Sequence, residues 1–270
     1  MYTVLTIPRL LAKHRSLFAQ MVIRNIEMRY RGSVLGLIWS FAHPLLMLAV
    51  YTFVFGIIFK ARWGIDTLDQ NRAAFPLIMF CGLMLFNLFA ESVNTCGALI
   101  VQNPSFVKKV VFPLELLPLC TVATTFIFGL AWLCLLFVGI AIFLQTFSWT
   151  MLLLPLTLLP LLLFTAGISY AVAAFGVYLR DIPQLVGVVT QILFFMTPIF
   201  YPVSLVPENL RWLLTLNPLT PMVEETRKLL LYGQQPDYLL CLGLWLLAFF
   251  IFQLGAACFC KMKKGFADVL

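Results

Sequence analysis

The chain has 270 residues, of which 62% are hydrophobic and only 11% charged. Soluble domains are closer to half apolar and a quarter charged, so this composition cannot supply a water-facing surface, and lipid must cover much of the outside. The net charge of +7 does not point to nucleic acid, because the basic residues gather at the two chain ends and in short loops between apolar runs, as anchors facing an anionic leaflet do.

Residues 1–33 are basic and interrupted. They lack the compact apolar core and small-residue cleavage site of a cleavable signal. Within them, residues 8–30 read as one amphipathic helix at the cytoplasmic membrane surface, with Arg9, Lys13, Gln20, Arg24, Glu27 and Arg31 on one face and Leu10, Leu11, Leu17, Phe18, Met21 and Met28 largely on the other. Periodicity alone fits a simple lipid anchor equally well.

Charges punctuate the rest of the chain, and the gaps between them mark the spans. No Asp, Glu, Lys or Arg lies between Arg31 and Lys60, a gap long enough for a first span near 34–59, since about 20 apolar residues cross the hydrocarbon core. A polar loop with Asp66 and Asp69 follows, then a second span near 75–101 interrupted by Glu91. A short basic loop, Gln102 to Pro113, carries Lys108 and Lys109. The next stretch, Leu116 to Leu179, has no charge at all. It is too long for one helix, and its polar cluster at 145–150 divides it into spans near 114–144 and 150–178. Arg180 and Asp181 close the fourth span. The fifth is placed near 183–201 and the sixth near 238–260. The fold class is therefore all-α and polytopic, with an interface segment at 1–33 and a transmembrane domain at 34–270. Six spans put both termini on one side. That side holds twelve of the 18 Lys and Arg, so the positive-inside rule makes it cytoplasmic.

Residues 203–233 are too short to cross twice and too apolar for an ordinary loop. A helix over Val206–Leu216, a break at Asn217-Pro218, and a second helix capped by Thr220 and ending at Gly233 suggest a hairpin dipping into the outer leaflet, with Glu224 and Lys228 as a supporting pair. Two helices lying flat on the outer surface fit the same pattern.

Catalytic signatures are missing. There is no phosphate-binding loop, no His-Glu-x-x-His and no serine-nucleophile motif, and His14 and His43 are far apart. The seven cysteines lack metal-ligand spacing and read as small apolar packing residues. No metal site and no cofactor of the chain's own is expected. Glu91 stands out, because an ionisable group in a span faces the bundle interior or an aqueous path, or else hydrogen-bonds helices together. With Asn87 beside it, and with Trp39, Tyr51 and Phe86 among the many aromatics, it is a candidate to line a path for sugars, whose apolar faces pack on aromatic rings; the same aromatics fit packing or interfacial anchoring equally.

Several runs then match in order. Arg29-Tyr30-Arg31-Gly32-Ser33-Val34-Leu35-Gly36-Leu37-Ile38-Trp39-Ser40, followed by His43-Pro44-Leu45-Leu46, resembles the start of the membrane subunit of polysaccharide ABC exporters. Asn103-Pro104, Lys108 to Pro113 and Leu117-Pro118-Leu119 resemble its first cytoplasmic loop, and Arg180-Asp181-Ile182 the close of its fourth span. Thr197 to Pro202, Asn217 to Pro221 and Arg227 resemble its last third. The likeness covers nearly the whole chain and is nearest to the O-antigen type, often called Wzm, alongside teichoic acid exporters. Phe86 departs from a common tryptophan and His43 from a common asparagine.

The resemblance implies a half-transporter in the bacterial inner membrane. Two copies would enclose a channel, and a separate ATPase subunit, holding ATP and Mg, would bind below. Asn103, Pro104, Lys108, Lys109, Phe112 and Pro113 would form the ATPase-coupling loop, and the helix bearing Arg24, Glu27, Arg29 and Arg31 the interface helix. Pro198, Tyr201, Pro202, Asn217, Pro218 and Arg227 would belong to an outer gate. The cargo would be a polysaccharide on an undecaprenyl-type lipid. A secondary carrier or a membrane-embedded glycolipid enzyme is the competing reading.

Overall fold

The computed structural model describes residues 6–58, 74–108, 112–145 and 147–270. Among the described residues the chain is helical, without strands. The polar loop with Asp66 and Asp69, and Lys109 of the basic loop, lie outside them.

The N-terminal segment is two helices rather than one. α1 (Thr6–Lys13) and α2 (Arg15–Tyr30) meet at His14, whose φ of −113° and ψ of 29° leave the helical region. α3 (Trp39–Tyr51) continues into a π-helical turn, Thr52–Ile58, and carries the buried Pro44. α4 (Ala74–Ala98) is 25 residues long, about 37 Å at the helical rise of about 1.5 Å per residue. α5 (Pro104–Lys108) is a single short turn of helix opened by proline, which suits a first helical position. α6 (Leu116–Gly139) runs on through a π-turn to Leu144. The chain reverses at Gln145, in the left-handed region at φ 51°. Ser148 then caps a 3-10 turn by accepting from the Thr150 amide, and α7 (Leu154–Tyr178) follows.

α8 (Ile182–Met196) has 15 residues, shorter than expected because the chain leaves helical geometry at Thr197, ahead of Pro198. α9 (Arg211–Leu216) and α10 (Leu219–Arg227) follow two 3-10 turns. α11 (Tyr238–Met262) starts at Asp237, whose carboxylate accepts from the Leu239 and Leu240 amides, and α12 (Phe266–Val269) ends the chain. Four helical stretches among the described residues are long and apolar enough to cross a membrane: Ala74–Ala98, Leu116–Leu144, Trp149–Tyr178 and Tyr238–Val269. Trp39–Phe55 and Ile182–Met196 are apolar but shorter.

α4 sits at the centre, and α6, α7, α8 and α10 pack around it, while α11 pairs with α7. The α7–α11 seam closes at glycine. A Cβ on Gly167 would meet the Ile251 carbonyl oxygen at 2.7 Å, and one on Gly255 would collide with the Gly167 carbonyl. Two apolar clusters stack along the bundle. One joins the first half of α4, the end of α6 and the beginnings of α7 and α11 to α10. The other joins the C-terminal ends of α4, α7 and α11 and the start of α6 to Ile7, Met21, Val22 and Phe266. The N-terminal helices, α5 and α12 thus share one end of the bundle, and the segment between α8 and α11 caps the other.

Candidate functional site

A polar seam runs between α2, α4 and α6. On α4, Asn87, Glu91 and Thr95 recur every four residues and so share one helical face. On α6, Thr121, Thr125, Phe128 and Trp132 follow at spacings of four, three and four and likewise share one face. Both rows open onto two cavities of about 340 and 370 Å³ that have Arg29, Glu91 and Thr125 in common. Arg29 Nη1 and Nη2 both donate to the Glu91 carboxylate, the second at 3.3 Å to Oε2. The guanidinium also lies over the Phe128 ring, 4.3 Å from its centroid. Glu91 is therefore neither lipid-facing nor uncompensated: a cation from the N-terminal helix neutralises it.

The smaller, aromatic-rich cavity is lined by Trp39, Ser40 and His43 of α3, Asn87 and Glu91 of α4, and Phe128 and Trp132 of α6. Trp132 stacks on Phe80 at 5.3 Å, which fixes its plane, and His43 approaches its ring at 6.4 Å. Of the residues expected to line a sugar path, Trp39, Asn87 and Glu91 meet here. Phe86 is buried in the core between Phe89 and Phe194, and Tyr51 packs on Phe200. Trp132 joins Trp39, Asn87 and Glu91 without belonging to the expected set. Its four-residue spacing from Phe128 in a charge-free run was the available signal.

The second cavity reaches the end of the bundle where α2 meets the basic loop, and is lined by Arg24, Asn25, Gln102, Asn103, Thr121 and Thr124 among others. Asn103 donates from Nδ2 to the Leu99 carbonyl at 2.8 Å, and its own carbonyl accepts from the Phe106 amide, so it hinges α4 to α5. Phe106 and Phe112 pack together at 4.7 Å, and the Arg24 guanidinium sits 5.5 Å from the Phe106 centroid. Pro104 and Lys108 are exposed, and Pro113 is half-buried. The α2 face expected to lie on lipid packs instead against α6, with Met21 and Val22 buried. Met28, placed with the apolar face, is exposed beside the cavity, and Glu27 and Arg31 are exposed without lining it.

At the other end, Arg227 is fully buried. Its Nε donates to the Ile78 carbonyl at 3.1 Å, Nη1 to the Pro198 carbonyl and to Glu224 at 2.6 Å each, and Nη2 to the Ile199 carbonyl at 3.2 Å. Gly82 makes room for it, since a Cβ there would lie 2.6 Å from Nη2. One side chain thus ties α10 to α4 and to the turn after α8. The supporting pairs are Glu224–Arg227 and Glu225–Lys228, not Glu224–Lys228, because the chain passes from α into π geometry at Lys228. Asn217 is buried and donates to Thr197 Oγ1 at 2.9 Å, while its Oδ1 accepts from the Leu219 amide. The second short helix is therefore opened by Asn217 rather than Thr220, whose hydroxyl is buried without a partner. Tyr201 donates to the Phe195 carbonyl at 2.7 Å, Pro202 is buried, and Pro218 is half-buried.

Comparison with known proteins finds relatives along most of the chain. The ABC-2 type transporter family matches residues 16–231. The chain is 30% identical over 263 residues to an O-antigen export system permease protein of Myxococcus xanthus, covering 96% of this chain and 97% of the relative. It is 29% identical over 252 residues to the corresponding protein of Klebsiella pneumoniae, covering 92% of each. It is 23% identical over 221 residues to a polysialic acid transport protein of Escherichia coli, covering 78% of this chain and 80% of the relative. A family match that spans most of the chain, both N-terminal cavities and the buried Arg227 places this protein in the ABC-2 type transporter family, as a membrane permease subunit.

Proposed function

We propose that this chain is the channel-forming subunit of an ATP-driven exporter that moves lipid-linked polysaccharide, of the O-antigen kind, outward across the bacterial inner membrane. The observation that carries the reading is the end-to-end similarity to O-antigen export permeases, which spans 96% of the chain in one case. Two copies enclose the channel, and a separate subunit binds and hydrolyses ATP with Mg. The glycan travels on an undecaprenyl-type lipid. Trp39, Asn87, Glu91 and Trp132 suit this cargo, since aromatic planes beside carboxylate and amide groups match a pyranose's apolar faces and hydroxyl rim.

In this reading α3 and α8 join the four longer helices as crossings, so that both termini are cytoplasmic. Their exposed apolar flanks, including Leu45, Leu46, Val188 and Ile192, meet lipid or the second copy. Asn103 to Pro113 is the coupling loop, α2 the interface helix, and residues 197–233 a re-entrant outer gate. The Arg29 partner accounts for Glu91 as a structural ion pair, which supports the exporter reading over an ion-coupled carrier.

Deleting the gene and identifying the glycan that accumulates on its lipid carrier inside the cell tests the function. Accumulation of an O-antigen-type polymer, with an ATPase co-purifying with the tagged chain, is the expected result. Normal surface glycan, or a purified chain that transports without an ATPase, would overturn it.

A further inference from the structure

The C-terminal end of the chain is fastened at several points around the base of α6 and the short helix α5. Lys263 Nζ donates to Glu115 Oε1 in an ion pair whose carboxylate is buried at the start of α6, directly after the basic loop. The backbone of Glu115 is itself pinned, because its carbonyl accepts from the Tyr170 hydroxyl at 2.8 Å. Tyr178 donates to the Met262 carbonyl at 2.8 Å, and Gly265 leaves space for that phenol, since a Cβ there would lie 2.6 Å from its oxygen. Phe266 is fully buried, edge-on to Phe259 with centroids 5.5 Å apart. α12 then lies against α5, and Leu270 joins the same apolar cluster as Phe106 and Val107.

A five-residue helix does not hold itself, because a single turn scarcely offsets the cost of helix nucleation. The orientation of α5 is therefore set by its neighbours. Arg24 over Phe106 supplies one side, and α12 supplies the other. We propose that residues 263–270 form a brace that positions α5, with the Lys263–Glu115 pair as its electrostatic anchor and Phe266 as its apolar anchor. The anchors differ in kind: burying Phe266 holds the brace to the bundle without regard to direction, whereas the ion pair fixes where along α6 it attaches. Losing Lys263 leaves a carboxylate buried beside the loop and weakens the anchor out of proportion to an exposed charge. The functional weight of the brace rests on the reading of α5 as the ATPase-coupling element.

The test uses the full chain co-expressed with its ATPase subunit and purified as the complex. Phe266→Ala, Lys263→Met and the exchanged pair Glu115→Lys with Lys263→Glu are compared with Lys261→Met, whose exposed side chain is a control. Amide hydrogen exchange at residues 105–108 reads the brace directly, and permease-stimulated ATP hydrolysis reads coupling. Exchange at α5 is expected to rise about tenfold in Phe266→Ala and Lys263→Met, to stay at the native level in Lys261→Met, and to recover in the exchanged pair. Should Phe266→Ala fail to accumulate, Lys263→Met and the exchanged pair carry the comparison. Unchanged exchange in Lys263→Met overturns the brace. Raised exchange with native ATP hydrolysis leaves the brace standing and removes the coupling role from α5. Raised exchange with a several-fold loss of stimulation supports both.

Discussion

Arg29 of α2 and Glu91 of α4 form a two-pronged ion pair across 62 positions of sequence, at the boundary shared by two polar cavities. It joins the N-terminal helices to the central helix of the bundle. Both side chains remain partly open, at 38% and 39% exposure, so solvent screening limits the pair to about 1 kcal/mol. Glu91→Gln and Arg29→Gln are each expected to lower the thermal midpoint of the purified chain by a few degrees. The exchanged pair, Arg29→Glu with Glu91→Arg, should recover most of the loss. A midpoint unmoved by either single change would remove the pair from the account of how α2 is held.

Arg227 is of another order. Replacing it with Met strands the Ile78, Pro198 and Ile199 carbonyls and leaves Glu224 without its guanidinium. Breaking a buried charged network of this kind costs about 3–5 kcal/mol. Arg227→Lys keeps the charge but not the planar fork, and is expected to fall between native and Met. Monodispersity and thermal midpoint after detergent extraction measure the order native, Lys, Met. Gly82→Ala should imitate part of the defect, because the added methyl displaces Nη2.

Glycines on α11 give an internal comparison. Gly255→Ala places a methyl against the Gly167 carbonyl, and forced overpacking of this sort costs about 1–3 kcal/mol. A Cβ on Gly243 meets nothing within 4 Å, so Gly243→Ala gains helix propensity, up to about 1 kcal/mol. The two variants are expected to move the thermal midpoint in opposite directions.

Neighbouring positions at the α9–α10 corner should differ sharply in reactivity. Leu216 is 69% exposed, whereas Asn217 is 3% exposed and bonded to Thr197. Leu216→Cys is expected to react readily with an aqueous maleimide, and Asn217→Cys to resist it while weakening the corner. Cross-links that probe the proposed gate belong at position 216. Equal labelling at both positions would mean that the corner opens freely.

Apart from the break at His14 and the early end of α8 at Thr197, the sequence by itself determined the helical class, most of the breaks between helices and the need for lipid around the bundle. These follow from short-range physics: charge-free runs longer than a bilayer needs, prolines and Asn217 that interrupt them, and acidic or hydroxyl caps such as Asp237 and Ser148. The sequence also set Asn87 beside Glu91 in the second span, but the row of Phe128 and Trp132 on α6 emerged only from the structure. Period and spacing do not say which face meets which: Phe86, an aromatic like its neighbours and by composition a candidate for the path, is packed between Phe89 and Phe194.

What only the tertiary structure decided were the pairings. Arg29 with Glu91, Lys263 with Glu115, and Arg227 with three carbonyls join residues from 28 to 149 positions apart. No local periodicity encodes such distances. Close packing sets them: Gly82 makes room for the Arg227 guanidinium, and Gly167 and Gly255 let α7 and α11 approach where any side chain would hold them apart. Once helices are that close, a buried charge that failed to find a partner would cost more than the helix packing gains. The sequence thus specified which segments would be helical and apolar, and the packing geometry selected which of the few charged side chains would neutralise one another.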